Sequence, residues 1–408
     1  MSPTEASTVD RKNWTTLQSK LYSKAKREPA FRFYSLADKA FSSLSLSKAY
    51  EKSRLNAGTA GVDRMTFEDI EKQGEALFLD ELGESLRDKT YRPAAVRLVQ
   101  IEEYFKIRPL GIPTIQDRVA QGAVAQLLEP IFEADFLECS YAYRPNRNAG
   151  QAVRDVVSAI ELGFATVYHL DIKSFFDSIP HDCVMLEAGK RIADGTILGL
   201  IRGWLEAPLA TRRGLRPRLS GTSQGGVISP LLANVVLNRF DQDCVRGFQD
   251  IRLIRYADDI WILSRTRDER ITTWAREAMS SLGLTLNEEK TGLSECAAGQ
   301  SVCVLGFRVS RKGDEYSLSL SDKALRKAKE KIDGIISRGS QDSLEVTQQN
   351  LRLYLSGWMN YFNLATERDS LFLVRDHMVE QLRRAFPGLS TKPMEEHFAS
   401  LLSKDSTR

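Results

Sequence analysis

No stretch of this chain approaches the ~20 consecutive apolar residues of a membrane-spanning helix. The opening residues, Met1 to Asp10, are polar and lack the apolar core of a secretory signal, so a cytoplasmic protein is expected. Cysteine is sparse. Cys139, Cys183, Cys244, Cys296 and Cys303 are scattered, and no two form a C-x-x-C pair. That pattern predicts free, mostly buried thiols in a reducing compartment. The four histidines are equally dispersed, which argues against a zinc cage. Net charge is small, only +3, so binding to a polyanion must rest on a local basic face. There is no long repeat and no low-complexity tract. What remains is a chain of 408 residues with an ordinary apolar fraction. Its length suits two to three domains at about 150 residues each.

Residues 1–12 read as a frayed terminus. From Asn13 to about Lys89 the pattern is helical: Leu17, Leu21 and Ala25 recur at four-residue steps, and Leu77, Leu82 and Leu86 do something similar. Asn56-Ala-Gly-Thr-Ala-Gly61 interrupts these helices as a loop. Tyr91 to Ile101 alternates as a strand, and the two prolines of Arg108-Pro-Leu-Gly-Ile-Pro113 demand extended or turned backbone. Asp117 reads as the cap of a helix running to about Ala134. Val302 to Val309 and Tyr316 to Leu320 read as strands around a Lys312-Gly313-Asp314 turn. After Ser321 three helical stretches follow, Asp322 to Ile336, Leu344 to about Asn363 and Ser370 to Ala385.

The chemistry lies in aspartates at the ends of apolar strands. Thr166-Val-Tyr-His-Leu-Asp171 is a buried strand ending in acid. Ile251 to Ser264 holds two short apolar strands with Asp258 and Asp259 at the tip between them, a hairpin signal. Clustered carboxylates raise one another's proton affinity, a cost that divalent cations remove. Oxygen ligands suit Mg²⁺, and two such ions can activate a hydroxyl and stabilise a leaving pyrophosphate. A lone Asp-Asp pair is more often a turn, but here a second acid ends another apolar strand.

Tyr256-Ala-Asp-Asp259 resembles the signature of reverse transcriptases. Arg108-Pro-Leu-Gly-Ile-Pro113 and Gln224-Gly-Gly-Val-Ile-Ser-Pro230 resemble motifs of bacterial group II intron reverse transcriptases, the maturase family. The resemblance runs from about Trp14 to Ala365, in the family's motif order. It implies an α+β fold, the right-hand polymerase. An N-terminal helical extension with the start of the fingers spans 1–90, and fingers and palm with an antiparallel sheet span 91–320. A helical, maturase-like thumb spans 321–385 and a short tail 386–408, without the family's endonuclease domain.

The resemblance also implies roles. Asp171, the Ile172 carbonyl, Asp258 and Asp259 hold two Mg²⁺ ions, and Lys290 protonates departing pyrophosphate. One ring of Phe175 and Phe176 packs in the core, while the other, at Phe176, gates against a ribose 2′-hydroxyl. Arg108 grips the triphosphate, and Gln224 and Gly225 contact the incoming nucleotide. Arg144, within Tyr141-Ala-Tyr-Arg-Pro145, touches template. Val304-Leu-Gly-Phe307 resembles the primer-grip hairpin. Lys323, Arg326, Lys327 and Lys331 follow the duplex phosphates from one helix face, and Lys20, Lys24, Lys26, Arg27 and Arg32 form a second basic face.

Two departures stand out. Ile101-Glu-Glu-Tyr-Phe-Lys-Ile-Arg108 replaces the family's lysine-rich turn. Ser223 replaces a proline, which predicts a looser loop. The expected partners are an RNA template, either an intron or a dedicated non-coding RNA, a DNA or RNA primer, and dNTPs. The expected role is RNA-directed DNA synthesis in a domesticated setting such as antiphage defence. The alternative is splicing and mobility of the chain's own intron.

Overall fold

The computed structural model describes residues 3–103, 106–297, 299–312, 315–339, 344–388 and 390–403. The chain opens with α1 (Pro3–Arg27), α2 (Ala37–Ala40), α3 (Ser43–Leu55), α4 (Phe67–Gln73) and α5 (Glu75–Arg87). The expected frayed terminus is thus helical from Pro3, since polar composition does not prevent a helix and proline suits its first turn. Leu82 and Leu86 are buried, but Leu77 points outward and Leu79 takes its place in the core.

A hairpin follows, β1 (Val96–Glu103) and β2 (Lys106–Ile112). The strand expected from Tyr91 starts later. Tyr91 and the Ala94 N–H instead turn inward to bond the Asp117 carboxylate. Pro109 lies within β2, which is tolerated because β2 is an edge strand. In α6 (Ile115–Glu133) the cap is Thr114 rather than Asp117: its hydroxyl accepts from the Asp117 N–H at 3.0 Å.

Next come α7 (Ala149–Glu161), β3 (Thr166–Asp171), α8 (Phe175–Ser178), α9 (His181–Gly189) and α10 (Gly195–Glu206). A short hairpin, β4 (Leu209–Thr211) and β5 (Gly214–Arg216), precedes α11 (Ser229–Gly247). Then follow β6 (Ile251–Tyr256), β7 (Asp259–Ser264), α12 (Glu269–Ser281) and β8 (Gly292–Glu295). β9 (Ser301–Val304), β10 (Phe307–Lys312) and β11 (Glu315–Leu320) form a separate antiparallel sheet. The expected strand Val302 to Val309 is therefore split by a turn at Leu305 and Gly306, both with positive φ. Gly313 and Asp314 lie outside the described residues.

The chain closes with α13 (Asp322–Gly339), α14 (Leu344–Phe362), α15 (Asp369–Ala385) and α16 (Lys392–Ser403). The last helix corrects the expected tail. Met394 and Phe398 recur at a helical step and are fully buried. Among the described residues, no helix is long and apolar enough to cross a membrane.

The palm sheet has the order β6-β7-β3-β8 and is antiparallel. Strand alternation divides its side chains between two cores. Tyr168, Leu170, Ile260 and Ile262 join the core of α6 and α9–α12. Val167, Trp261 and Leu263 join the core of α7 and the C-terminal helices. The sheet is the wall on which both halves of the molecule close, and its strand ends carry the acids. The architecture is that of a right-hand polymerase with a helical C-terminal region.

Candidate active site

β3 and β7 are neighbours, and their register sets Asp171 directly opposite Asp259. Cross-strand partners share a face, so both acids stand on the side of His169 and Trp261, whose rings stack at 5.3 Å. Asp258 lies in the turn between β6 and β7, after Ala257 at a positive φ of 57°. Ala257 carries this left-handed backbone because its surroundings hold it there. Its carbonyl accepts from Arg255 Nη1 at 3.3 Å. Arg255 is fully buried, pairs with Asp241 at 2.6 Å and bonds Asn234 Oδ1 at 2.9 Å. Asn234 Nδ2 in turn donates to the Ala142 carbonyl at 2.8 Å. This network anchors the Asp258 turn to the segment carrying Tyr143. Sequence reading overlooked Arg255, although an arginine within an apolar strand was a signal that a buried acid must meet it.

The carboxylates differ in setting. Lys290 Nζ bonds both oxygens of Asp171, at 2.9 and 3.0 Å. It is presented by the turn after Leu286, where Asn287 N–H donates to the Asp171 carbonyl at 2.7 Å. Asp259 Oδ1 lies 3.2 Å from His169 Nε2, a partner that sequence reading missed. Burial pushes the Asp258 carboxyl up to about 6, and the charges of Asp259 and Asp171 add to the rise. The site is thus short of positive charge, with one lysine against three acids. Among the described residues no three His, Cys, Asp or Glu side chains form a ready metal cage. An ion here would complete its shell with backbone and substrate oxygens, as Mg²⁺ commonly does.

The side where a nucleotide is expected is built from loops. Ile172 is buried and bridges to Leu286. Phe175 is buried in the core. Phe176 is half-buried and meets Tyr143 edge-on at 6.3 Å. The Thr222 N–H donates to the Phe176 carbonyl at 2.6 Å, docking the glycine loop on α8. Gly225 packs so closely on β2 that a side-chain carbon there would stand 2.2 Å from the Gly111 carbonyl. Gln224 and Gly225 are exposed at this edge. Ser223 reverses the expectation of a looser loop: its hydroxyl donates to the Gly111 carbonyl at 3.2 Å and ties the loop to β2. The Arg108 backbone pairs with Ile101, while its side chain lies outside the described residues.

Other expected contacts divide. Arg144 is not available to template. Its side chain is buried, forks onto Glu133 at 2.7 and 3.0 Å, and donates to the Ser140 carbonyl at 2.7 Å. Its neighbours Tyr143 and Pro145 are the exposed residues of that segment. On α13, Ala324, Ala328 and Ile332 face inward, Lys323, Arg326 and Lys331 are exposed, and Lys327 is half-buried. The N-terminal basic face is partly engaged within the chain, although Lys20, Lys26, Arg27 and Arg32 are exposed. Lys26 Nζ donates to the Ala134 carbonyl at 2.9 Å, Lys24 pairs with Glu28 at 2.7 Å, and Arg32 donates to the Ile192 carbonyl at 3.3 Å.

Comparison with known proteins agrees with this geometry. Residues 103–309 match the family described as reverse transcriptase (RNA-dependent DNA polymerase), and residues 325–386 match the group II intron maturase-specific domain. Protein YkfC of Escherichia coli is 31% identical over 64% of this chain and 78% of its own length. The group II intron-encoded protein LtrA of Lactococcus lactis is 31% identical over 67% of this chain, which spans only 44% of LtrA. A telomerase chain from Candida albicans aligns with a TM-score of 0.44 at 14% identity, over 81% of this chain and 69% of that one. The chain belongs to the reverse transcriptases of the group II intron maturase family, the RNA-directed DNA polymerases.

Proposed function

We propose that this chain extends a DNA or RNA primer on an RNA template, adding dNTPs with Asp171, Asp258 and Asp259 as its catalytic carboxylates. The observation that carries the reading is their convergence: Asp171 opposite Asp259 in register, with Asp258 in the adjoining turn. The all-oxygen donor set and the raised Asp258 carboxyl fit two Mg²⁺ ions, held by Asp171, the Ile172 carbonyl, Asp258 and Asp259. When bound, such ions favour the ionised primer hydroxyl and take up charge on the leaving pyrophosphate.

The chain's own residues do the rest. Asp259 stands beside the primer end, oriented by His169. Lys290 gives a proton to pyrophosphate. Arg108 grips the triphosphate, and Gln224 and Gly225 bound the base. Phe176, braced by Tyr143, excludes a 2′-hydroxyl while Phe175 supports it from the core. Lys323, Arg326, Lys327 and Lys331 follow the duplex phosphates. Primer extension on an RNA template tests this reading. The native chain uses dNTPs and rejects rNTPs, and Phe176→Ala admits rNTPs. Equal use of both nucleotides by the native chain would rule out the gate.

A second reading is favoured by the maturase-specific match and by the name of LtrA. The chain binds a group II intron RNA and assists its splicing and mobility. In that case intron splicing survives Asp258→Ala with Asp259→Ala but not neutralisation of α13. A domesticated role in antiphage defence draws no support from the names of the relatives.

A further inference from the structure

The β4–β5 hairpin and its exit read Leu209-Ala-Thr-Arg-Arg-Gly-Leu-Arg-Pro-Arg-Leu219, with four arginines and no acid. Arg212 and Arg213 form the turn, and Arg216 ends β5 opposite Leu209. All three are exposed, and among the described residues none of their side chains makes an ion pair or hydrogen bond. β5 is the outer strand of the sheet β2-β1-β4-β5, so its free edge faces away from the fold.

At the foot of the hairpin lies a cleft of about 390 Å³, lined by Arg216, Arg218, Thr222, Gln224 and Asp177 among others. Arg218 is only 9% exposed, yet its Nη1 is buried without a hydrogen-bond partner, and so is Thr222 Oγ1. A guanidinium withdrawn from water is costly unless acceptors meet it. Among the described residues Asp177 is the one carboxylate lining the cleft, against two arginines. The cleft and its rim therefore carry more cationic than anionic side chains, and the Arg218 Nη1 lacks an acceptor. Phosphate oxygens supply acceptors in the geometry that guanidinium favours.

We propose that this hairpin and cleft bind the phosphodiester backbone of single-stranded RNA. The layout is a track rather than a cage. Arg212 and Arg213 at the tip stand about 10 Å from Arg216 at the foot, at ~3.3 Å per strand residue. A free triphosphate needs its cations gathered at one point, whereas a strand offers successive phosphates. The choice of RNA as the polyanion rests on the RNA-copying reading above. The site itself does not, because binding is measured without catalysis.

The test is fluorescence anisotropy of a labelled single-stranded RNA, without nucleotides, on the full chain and on Arg212→Ala/Arg213→Ala/Arg216→Ala. Three lost phosphate contacts lower the slope of log affinity against log salt by about 2. The native chain then loses about 15-fold more affinity than the variant between ~50 and ~200 mM KCl. The three residues are exposed, so thermal melting of the variant stays near native. Arg218→Lys, which keeps the charge but not the fork, weakens RNA binding at low salt. Inorganic tripolyphosphate serves as a second probe. Unchanged RNA affinity and slope in the triple variant overturn the proposal, and loss of tripolyphosphate binding alone would reassign the cleft to a nucleotide.

Discussion

The Asp258 turn and the helix α13 hold charge in opposite ways. At the turn, three carboxylates share one lysine, and Asp258 is buried enough for its carboxyl to rise to about 6. Along α13 the cations Lys323, Arg326 and Lys331 stand in water, and Arg326 meets Glu330 only at 4.0 Å. Burying charge is expensive and exposing it is nearly free. The first arrangement persists only with a supporting network, and its loss is all-or-none. The second is graded and answers to salt.

The sharpest way to break this contrast is to remove the support beneath the turn. Arg255→Ala leaves Asp241 buried and unpaired, and is expected to destabilise the fold by about 3–5 kcal/mol in urea unfolding. A change under ~1 kcal/mol would mean that the turn does not depend on the network. Next in size is Lys290→Met. As a general acid Lys290 is worth roughly 10²-fold in kcat, with a smaller effect on primer affinity, in single-turnover extension. An equal loss in binding alone would make it a charge partner of Asp171 only.

A smaller effect is expected on α13. Lys323→Ala with Arg326→Ala and Lys331→Ala should lower the salt slope of duplex binding by about 3, with melting unchanged. The smallest belongs to α1. Lys24→Ala removes an exposed pair with Glu28, worth about 0.3–0.5 kcal/mol, and leaves RNA affinity as it was. A large loss of RNA affinity there would restore the second basic face.

The palm was legible because two signals coincide in it. Short, nearly continuous apolar runs mark β3, β6 and β7, and acids end β3 and flank the β6–β7 turn. Charge alone was less informative. Arg144 and Lys323 look alike in sequence, but Glu133 and the Ser140 carbonyl consume the first, while the second keeps its exposure. Such partners are set by tertiary packing. The same holds for Asp117, whose carboxylate gathers Tyr91, Thr114 and Ala94 instead of capping α6. The helix α16 was missed because its stripe of Met394 and Phe398 is short and flanked by charges. Ser223 was misjudged because its acceptor, the Gly111 carbonyl, lies 112 residues away.

The central claim is that Asp258 and Asp259 carry the chemistry. Primer extension on an RNA template with dNTPs and Mg²⁺ compares the native chain with Asp258→Ala/Asp259→Ala at matched RNA occupancy. The native chain is expected to extend the primer, and the variant to give nothing above background while retaining RNA binding. Extension at the native rate by the variant would contradict the claim.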